Sequence, residues 1–492
     1  MRVYLEGHSF GYEVQRIVQM FFPGEKVETV PGAPAPDVRE GIHTRLADGL
    51  VLAAYLPSGR SEFDDWLPGD SRSQLEHKFG VVLYQLLSQV TGMQPPWGIL
   101  TGVRPVKLLV QKQAAGLTPA QLEEYFCKSC LVSENKFSLA LQTAGREQEI
   151  LRRSTPDSFS LYVSIPFCPT RCAYCSFVSH SVEQAAKLMP SYLDRLCEEL
   201  ALTGRIAAQL GLKLRTVYFG GGTPTTLSAA QLERLMAAVG EAFDLSQVWE
   251  YTVEAGRPDT VTPEKMRVLK RMGATRVSIN PQTLSDRVLQ AIGRRHTVDQ
   301  FFRAWEQARE AGFHRINADL IAGLPLDDLS SFRQSVEGVL RLQPENLTVH
   351  TLTVKRSARL TFEEARGELE TVGEMVEFAR RAVTQAGLAP YYLYRQTGTL
   401  GSLENVGYAL PGTEGLYNVY IMDETHSILA VGAGASTKLR HPKTGALTRI
   451  YNYKYPYEYL SRFQQVQDRK GKILEFYRSG GEGACQPGAD VV

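Results

Sequence analysis

The sequence has little net charge, no long apolar run and few cysteines. Its 54 basic and 53 acidic residues leave a formal net charge of +1, which argues against a protein-wide basic surface for nucleic acid but permits a local basic patch. No apolar run is long enough to cross a membrane, and the charged start MRVYLEGHSFGYE lacks the apolar stretch of a signal peptide. We therefore expect a soluble cytoplasmic protein without a nucleic-acid partner or a membrane span.

The cysteines are too unevenly spaced to suggest a disulfide framework. Three of the seven, Cys168, Cys172 and Cys175, lie within the stretch SIPFCPTRCAYCSF. An odd count with one tight cluster favours metal binding over disulfides in a reducing compartment. Cys127 and Cys130 form a C-x2-C pair, which suits a redox pair or half a zinc site. Because no second pair or nearby histidine supports a metal, we interpret them as ordinary thiols at a helix end.

Composition divides the chain into four predicted parts. Residues 1–155 form an amino-terminal α/β accessory domain, in which RVYLEG and LVLAAYL are typical of strands and YEVQRIVQMFF and LEHKFGVVLYQLLSQV of helices. Three functions are open for this domain: substrate docking, partner docking and dimerisation. A core follows at 156–360, then a Tyr-rich and Gly-rich carboxyl-terminal α+β extension at 361–478 and a flexible tail at 479–492.

The core alternates strands with amphipathic helices. Strands are predicted at 160–166, 214–219, 248–255, 275–280, 314–321 and 345–353. One helix between them begins with Thr262 as N-cap and Pro263 in the first turn, and it ends at Gly273. Six such units imply parallel strands in an α/β fold, either a barrel or a doubly wound sheet, with chemistry at the carboxyl ends of the strands.

Polar and glycine-rich motifs follow one strand after another. The cysteine cluster follows the first strand, and a zinc site with His180 as fourth ligand is the ordinary alternative for it. YFGGGTPTTLS, TVEAGRPD, SINPQT and NADLIAGLP follow the next four strands. Each motif alone is weak evidence, whereas all five in this order are strong evidence of one site.

In this order, CPTRCAYC, GGGTPT, VEAGRPD, the segment 282–294 and DLIAGLP resemble radical S-adenosylmethionine enzymes. Within these, the sequence resembles the oxygen-independent coproporphyrinogen III oxidase (dehydrogenase) family. The long amino-terminal part with PWGILTGVRP, together with INPQT, is similar to the coproporphyrinogen dehydrogenase-like branch of Gram-positive bacteria. The resemblance is close over residues 160–355, and it implies a partial (β/α)6 barrel with an amino-terminal α/β domain and a carboxyl-terminal extension.

The resemblance also implies the cofactors. Cys168, Cys172 and Cys175 would hold three irons of a [4Fe–4S] cluster and leave the fourth iron for the amino and carboxylate groups of S-adenosylmethionine. An electron from a reductant such as flavodoxin or ferredoxin would then cleave the sulfonium and give a 5′-deoxyadenosyl radical. The protein would supply binding, orientation and exclusion of water and oxygen.

By the same resemblance, the cofactor-binding residues belong to two sets. Tyr162, Tyr174, the backbone at Gly221, Gly222 and Thr223, and the Glu254 carboxylate would contact the first S-adenosylmethionine. A carboxylate suits an ammonium group or a ribose diol. The ordinary alternative for Tyr162 is core packing.

Three further residues match family positions that bind a second S-adenosylmethionine: Gln282, Arg294 and Asp319. Whether one or two molecules bind is open. The ordinary alternative for Arg294 and Asp319 is a salt bridge at the barrel rim.

The activity implied is the oxidative decarboxylation of coproporphyrinogen III to protoporphyrinogen IX in haem biosynthesis. Three positions depart from the family pattern: Phe177 replaces a cysteine, Ser164 a histidine and Thr353 a small residue. Cations that could bind the substrate propionates are Lys355, Arg356 and Arg359. Tyrosines that could flank a flat macrocycle, or simply pack a subdomain, lie at 391, 392, 394, 408, 417 and 420.

Two other functions stay open. A haem chaperone related to the family also has Phe at the position of Phe177, but its His-Asn and Tyr-Trp signature would align near Tyr417–Tyr420, where both histidine and tryptophan are missing. Because histidine is a common axial ligand of haem iron, this absence counts against a chaperone. The third possibility is a radical enzyme that acts on another tetrapyrrole or on an unrelated substrate.

Overall fold

The structure is a computed structural model that describes residues 1–176, 180–354, 358, 360 and 369–479. The departure at Phe177 and the candidate propionate ligands Lys355, Arg356 and Arg359 lie outside the described residues. The predicted tail is described only at Ser479.

The amino-terminal part contains a five-stranded sheet. Its elements are β1 (Arg2–Glu6), α1 (Gly11–Phe21), β2 (Glu28–Pro31), β3 (Ile42–Ala47), β4 (Leu50–Tyr55), β5 (Arg60–Asp65), α2 (Arg72–Thr91), α3 (Pro105–Ala114), α4 (Pro119–Glu123) and α5 (Glu134–Leu151). The strand order is β2-β1-β3-β4-β5, with α1 and α2 packed together beside the sheet. The strands and helices predicted from RVYLEG, LVLAAYL and the two helical stretches are confirmed.

Strand and helix then alternate as predicted. The elements are β6 (Ser158–Ile165), β7 (Phe167–Cys168), β8 (His180–Ser181), α6 (Val182–Ala185), α7 (Met189–Gln209), β9 (Lys213–Gly221), α8 (Ala229–Ala242), β10 (Glu250–Glu254), α9 (Pro263–Arg271), β11 (Arg276–Ser278), α10 (Asp286–Ala291), α11 (Val298–Glu310), β12 (Ile316–Ala322), α12 (Leu329–Leu340), β13 (Asn346–Thr351) and α13 (Leu369–Gln385). All six predicted strands are confirmed. Thr262 caps α9 by accepting the backbone N–H of Lys265.

The carboxyl-terminal part extends this sheet at both edges. Its elements are β14 (Ala389–Arg395), β15 (Glu404–Ala409), α14 (Leu416–Asp423), β16 (Ser427–Val431), β17 (Ser436–Arg440), β18 (Leu447–Tyr451), α15 (Pro456–Ser461) and α16 (Phe463–Arg478). The full order is β14-β15-β13-β12-β11-β10-β9-β6-β16-β17-β18. Because β6 pairs with β16 and β13 with β15 instead of with each other, the six parallel strands form an open, partial barrel.

The hydrophobic core has two main parts. Buried residues from Val3 to Leu87 form the first cluster. Residues from Trp97 to Ala144 instead join the large cluster that fills the barrel. The predicted domain boundaries, including the one at residue 155, stay predictions. Across the described ranges, no helix is long and apolar enough to span a bilayer.

Helix α14 closes the amino-terminal end of the barrel. Glu250, the first residue of β10, accepts the backbone N–H groups of Leu416 at 2.8 Å and Tyr417 at 3.2 Å. A carboxylate at a helix N-terminus is stabilised by the unpaired N–H groups there. From α14, the ring of Tyr417 stacks on Tyr218 with centroids 4.4 Å apart, so these rings fill the barrel interior at this end.

Candidate active site

The cysteine loop follows β6 and is fixed to neighbouring strand ends. Cys168 lies on β7, which pairs in parallel with β8. The Thr170 hydroxyl donates to the carbonyl of Gly293 at 3.0 Å, and the Ala173 N–H donates to the carbonyl of Ile292 at 2.9 Å. The loop therefore packs on the segment that leads from α10 to Arg294.

The three thiols lie along this loop in different surroundings. Cys168 accepts a hydrogen bond from the Thr223 hydroxyl at 3.6 Å, and the buried Cys172 lies within hydrogen-bonding reach of Arg294 and Tyr174. Among the residues that the structure describes, no three His, Cys, Asp or Glu side chains converge on one point as ligands of a single ion. A four-iron cluster does not need such convergence, because each thiolate binds a different iron.

The predicted glycine surface lies directly against β7. The backbone N–H groups of Gly222 and Thr223 donate to the carbonyls of Ile165 and Phe167, each at 2.8 Å. Gly221 has φ of +104°, a conformation that favours glycine. A Cβ on Gly222 would lie 2.6 Å from the carbonyl oxygen of Phe167, so only glycine permits this close approach to the strand that carries Cys168.

We expect Gly222→Ala to displace β7 and lower the free energy of unfolding by about 1–3 kcal/mol, since the added methyl group overpacks against backbone. Urea unfolding and iron content per chain measure the effect. The matched control is Gly471→Ala in α16, where no atom lies within 4 Å of the added Cβ; there we expect unchanged or slightly higher stability. Equal midpoints and iron contents for the two variants would contradict the close-packing argument.

Glu254 ends β10 and faces the barrel interior. It accepts a hydrogen bond from the Tyr218 hydroxyl. Burial raises the pKa of Glu254 and the nearby Asp319 carboxylate adds to this effect, whereas the Tyr218 hydrogen bond and His350 lower the pKa; the net value is about 7. Two half-buried carboxylates that interact with each other's surroundings favour a cationic ligand. This position is compatible with the predicted contact to S-adenosylmethionine, which stays a prediction.

Asp319 lies in a polar network that crosses β11, β12 and β13. Its carboxylate accepts the Asn317 amide N–H at 2.7 Å and lies 3.6 Å from Nε2 of His350. Burial alone would raise the pKa of Asp319. The hydrogen bonds from His350, Asn317 and Thr348 have a larger effect in the opposite direction, so the pKa of Asp319 is lowered. Asp319 is therefore ionised at neutral pH and does not pair with Arg294 in the described structure.

Gln282 stands beside Asp319 with an unusual backbone. Its φ is +70°, and its backbone N–H donates to the carbonyl of Asp319 at 2.9 Å. Strained non-glycine residues of this kind occur most often at functional sites. Its buried side-chain oxygen Oε1 has no hydrogen-bond partner in the part of the chain described here, so it is placed to accept a bond from a ligand.

Arg294 links three of the strand-end segments. Its guanidinium donates to the carbonyl of Asn280 at 2.5 Å and to that of Gly256 at 3.3 Å. Burial would lower the pKa of Arg294, whereas Tyr174 and Cys172 raise it, and the side chain stays charged. The structure therefore places Arg294 against the cysteine loop.

The predicted contact residues Tyr162 and Tyr174 are both half-buried. Tyr162 stacks on Tyr218 at 6.2 Å and on Tyr417 at 6.2 Å, so it packs within the barrel at the site. Burial raises the pKa of both phenols. Their roles toward a cofactor stay predictions.

Sequence reasoning missed Tyr218 and His350. Tyr218 points to the same side of β9 as Gly220, and the alternation of a strand could have indicated this. His350 lies near the carboxyl end of the sixth predicted strand. Only the motifs that follow the first five strands were used to predict the site, so this residue was not considered. The hydrogen bonds of Asn317 and Thr348 across neighbouring strands had no sequence signal.

Ser164 and Thr353, two of the departures from the family pattern, both form hydrogen bonds within the protein. The Ser164 hydroxyl donates to the carbonyl of Ala433 at 2.8 Å, and a Cβ on Gly432 would lie 2.7 Å from the Ser164 carbonyl. The backbone of this turn therefore occupies the space beside Ser164. Thr353 forms a hydrogen bond with Thr399 at 2.9 Å.

The remaining candidates lie in packed surroundings in the described chain, and their roles stay predictions. Five of the six tyrosines are buried, at 391, 392, 408, 417 and 420. Cys130 is buried beside Tyr125, and burial raises its pKa to about 11, while burial also raises the pKa of Cys127. Thiols with raised pKa values are poor nucleophiles and metal ligands, as expected for ordinary helix-end cysteines.

The donor set fits the implied cofactors. Three thiols in one loop suit iron of a cluster with an open position. The unpartnered Oε1 of Gln282 and the carboxylates of Glu254 and Asp319 offer acceptors to the ammonium and hydroxyl groups of S-adenosylmethionine. All of these groups lie at the same end of the barrel.

Comparison with known proteins identifies one family and two similar relatives. The Radical SAM superfamily model matches residues 162–337. The oxygen-independent coproporphyrinogen-III oxidase-like protein HemZ of Bacillus subtilis is 39% identical over 419 residues, which cover 84% of this chain and 83% of that protein. The heme chaperone HemW of Lactococcus lactis is 32% identical over 299 residues, or 60% of this chain and 73% of that protein.

A solved structure shares the fold. Coproporphyrinogen III oxidase (HemN) from Escherichia coli, described as a radical SAM enzyme, matches with a TM-score of 0.50 at 23% identity. The match covers 65% of this chain and 72% of that one. It supports the α/β architecture with six parallel strands.

Proposed function

Because this chain belongs to the radical SAM superfamily, and within it to the family of oxygen-independent coproporphyrinogen-III oxidase-like proteins, we propose that it converts coproporphyrinogen III to protoporphyrinogen IX. The predicted use of a [4Fe–4S] cluster and S-adenosylmethionine is confirmed by membership of this superfamily. The reductant and a second S-adenosylmethionine remain part of the proposal.

When bound, these cofactors supply a carbon-centred radical that removes a hydrogen atom from a substrate. Cys168, Cys172 and Cys175 would hold the cluster, and Arg294 would keep the loop in register with the strand ends. Glu254, Gln282 and Asp319 would orient S-adenosylmethionine. For the proposed substrate, a hydrogen atom is taken from the β-carbon of a propionate, and loss of carbon dioxide with transfer of one electron to an external one-electron acceptor leaves a vinyl group.

The observation that carries the proposal is the pair of half-buried carboxylates at the same end of the barrel as the cysteine loop. Asp319 contributes to the raised pKa of Glu254 across the barrel interior, and the backbone N–H of Gln282 donates to the carbonyl of Asp319. The stacked ring of Tyr417 fills the barrel at the amino-terminal end of the strands, so a radical formed at the site is shielded from solvent at that end. The name of the Bacillus relative supports a porphyrinogen substrate.

The test is an anaerobic incubation of reconstituted protein with S-adenosylmethionine, a reductant and coproporphyrinogen III. We expect protoporphyrinogen, its mono-vinyl intermediate and 5′-deoxyadenosine, all measured by mass spectrometry. Deoxyadenosine without any change of the porphyrinogen would overturn the substrate and retain the radical chemistry.

The second candidate is the haem chaperone, favoured by the identity to the Lactococcus protein. Against it, the segment Tyr417–Tyr420 lies in α14, where the rings of Tyr417 and Tyr420 are buried. His426 stacks on Tyr420 with centroids 3.7 Å apart and is itself buried, so it is not placed to receive haem from solvent. Stoichiometric haem binding by the anaerobic protein, without turnover, would favour the chaperone.

A further inference from the structure

The carboxyl-terminal extension exposes a cluster of aromatic rings. Tyr451, Tyr455 and Tyr457 are 59%, 38% and 51% exposed. The rings of Tyr455 and Tyr457 stack with centroids 5.4 Å apart and an angle of 19° between planes. Exposed tyrosines that cluster in this way are typical of protein interfaces, where they add contact area at a small entropic cost.

Positive charge surrounds these rings. Residues 438–478 contain ten Lys or Arg against three Asp or Glu, and three of these cations form ion pairs with glutamates outside this segment. Lys454 is exposed between two of the tyrosines. Arg462 and Arg469 lie over the ring of Tyr453 at 5.2 and 4.3 Å.

We use "basic tyrosine patch" for Tyr451, Tyr455 and Tyr457 with the cations Lys454, Arg462 and Arg469. Arg469 also donates to the carbonyl of Tyr451 at 2.8 Å. This hydrogen bond holds the Arg469 guanidinium close to the tyrosines. The single acidic side chain between Tyr451 and Arg462, Glu458, is half-buried. The patch therefore presents aromatic rings and positive charge.

The patch adjoins the cysteine loop. The Ser164 hydroxyl at the end of β6 donates to the carbonyl of Ala433, and the Gly434 N–H donates to the carbonyl of Tyr453 at 2.8 Å. The ring of His180 lies edge-on to Tyr455 and Tyr457, at 6.1 and 6.4 Å. His180 pairs with Phe167, the neighbour of Cys168, so few residues separate the patch from a proposed cluster ligand.

We propose that the basic tyrosine patch docks an acidic, one-electron carrier protein of the flavodoxin type. The inference rests on the proposed radical chemistry but not on the proposed porphyrinogen substrate. In each transfer the reduced flavin loses one electron and the [4Fe–4S] cluster gains it.

The physical properties of the patch suit such an encounter. Opposite charges steer two proteins together and raise the association rate, most strongly at low salt. Electron-carrier complexes have small interfaces, so three exposed rings with a rim of cations are sufficient. The closeness to the cysteine loop shortens the path that the electron must cross.

A basic surface with aromatic rings also suits single-stranded nucleic acid. Two observations favour the carrier protein: the net charge of +1 is low for a nucleic-acid-binding chain, and the patch lies beside the site that needs the electron. The test below separates the two partners.

The test compares the reconstituted full-length protein with two variants, Tyr455→Ser/Tyr457→Ser and Lys454→Glu. The probe is purified oxidised flavodoxin, with binding measured by calorimetry at low and at physiological salt. We expect Kd to rise at least about tenfold in either variant, since interface tyrosines are frequent hot spots, and Lys454→Glu to weaken the salt dependence. The matched control, Tyr12→Ser with Lys26→Glu, changes an exposed tyrosine and lysine of the amino-terminal part and should bind normally.

A second measurement separates docking from damage to the cluster. With limiting photoreduced flavodoxin, formation of 5′-deoxyadenosine should fall in the two variants by the same factor as binding. With dithionite, which needs no docking surface, it should equal that of the unchanged protein. Equal Kd values for the variants and the control would overturn the proposal. So would binding of a labelled single-stranded oligonucleotide that the same variants abolish, in a protein that does not bind flavodoxin.

Discussion

Replacing Cys172 by alanine should reduce cluster iron and the cluster's visible absorbance to near background and abolish formation of 5′-deoxyadenosine. Cys172 lies in the middle of the loop and is the buried one of the three cysteines. With two thiolates left, two irons lack protein ligands and the cluster is lost. The fold should persist, because the loop is fixed by the backbone bond between Ala173 and Ile292 and by Thr170. Iron analysis and far-UV circular dichroism check both statements.

The matched control for this prediction is Cys127→Ala. Cys127 is a half-buried cysteine of the C-x2-C pair, and the change should leave iron content and turnover as in the unchanged protein. Full iron in Cys172→Ala would show that the ligand assignment is wrong. Loss of iron in Cys127→Ala would instead show that the amino-terminal pair is a metal or redox site.

The barrel could be predicted because its signals are local. Each of the six parallel strands is a short, mainly apolar run, and the helices between them are amphipathic, several with a side-chain cap such as Thr262. The connection rules for parallel strands then leave few arrangements. Even the position of the active end follows, because strand ends in such folds carry the functional motifs.

The carboxyl-terminal part could not be predicted in the same way. β16 pairs in parallel with β6, from which it is separated by more than 260 residues, and α14 is fixed under the barrel by the carboxylate of Glu250. Such contacts are formed between residues far apart in the sequence, and the local pattern of apolar residues does not indicate them. The sequence indicated a Tyr-rich region, whereas the structure separates it into buried rings and the exposed patch.

At the site, sequence reasoning found the residues of the motifs near the strand ends. It missed the side chains from neighbouring strands that contact these residues. Glu254 and Asp319 were candidates because their motifs, VEAGRPD and DLIAGLP, resemble those of radical S-adenosylmethionine enzymes. Their environment depends on Tyr218 and His350, which belong to other strands. Because burial and these neighbours together determine the pKa of Glu254, its protonation at neutral pH could not be derived from the sequence.

That protonation leads to the second large prediction, which concerns Glu254→Gln. In the free protein, burial raises the pKa of Glu254 to about 7, so the neutral acid predominates below pH 7 and the carboxylate above it. Only the carboxylate attracts the cationic groups of S-adenosylmethionine. A single group with this pKa should therefore make affinity rise about tenfold from about pH 6 to about pH 8.

In Glu254→Gln this rise should disappear, and near pH 8 the variant should bind S-adenosylmethionine about tenfold to a hundredfold more weakly, the value of a hydrogen bond to a charged group. Anaerobic equilibrium dialysis with labelled S-adenosylmethionine measures both effects. The ligand's own amino group titrates in the same range, but it does so equally for both proteins, so the ratio of their affinities isolates Glu254. Glu310→Gln, an exposed carboxylate at the end of α11, should match the unchanged protein. A constant ratio across pH would show that Glu254 does not bind the ligand through its charge.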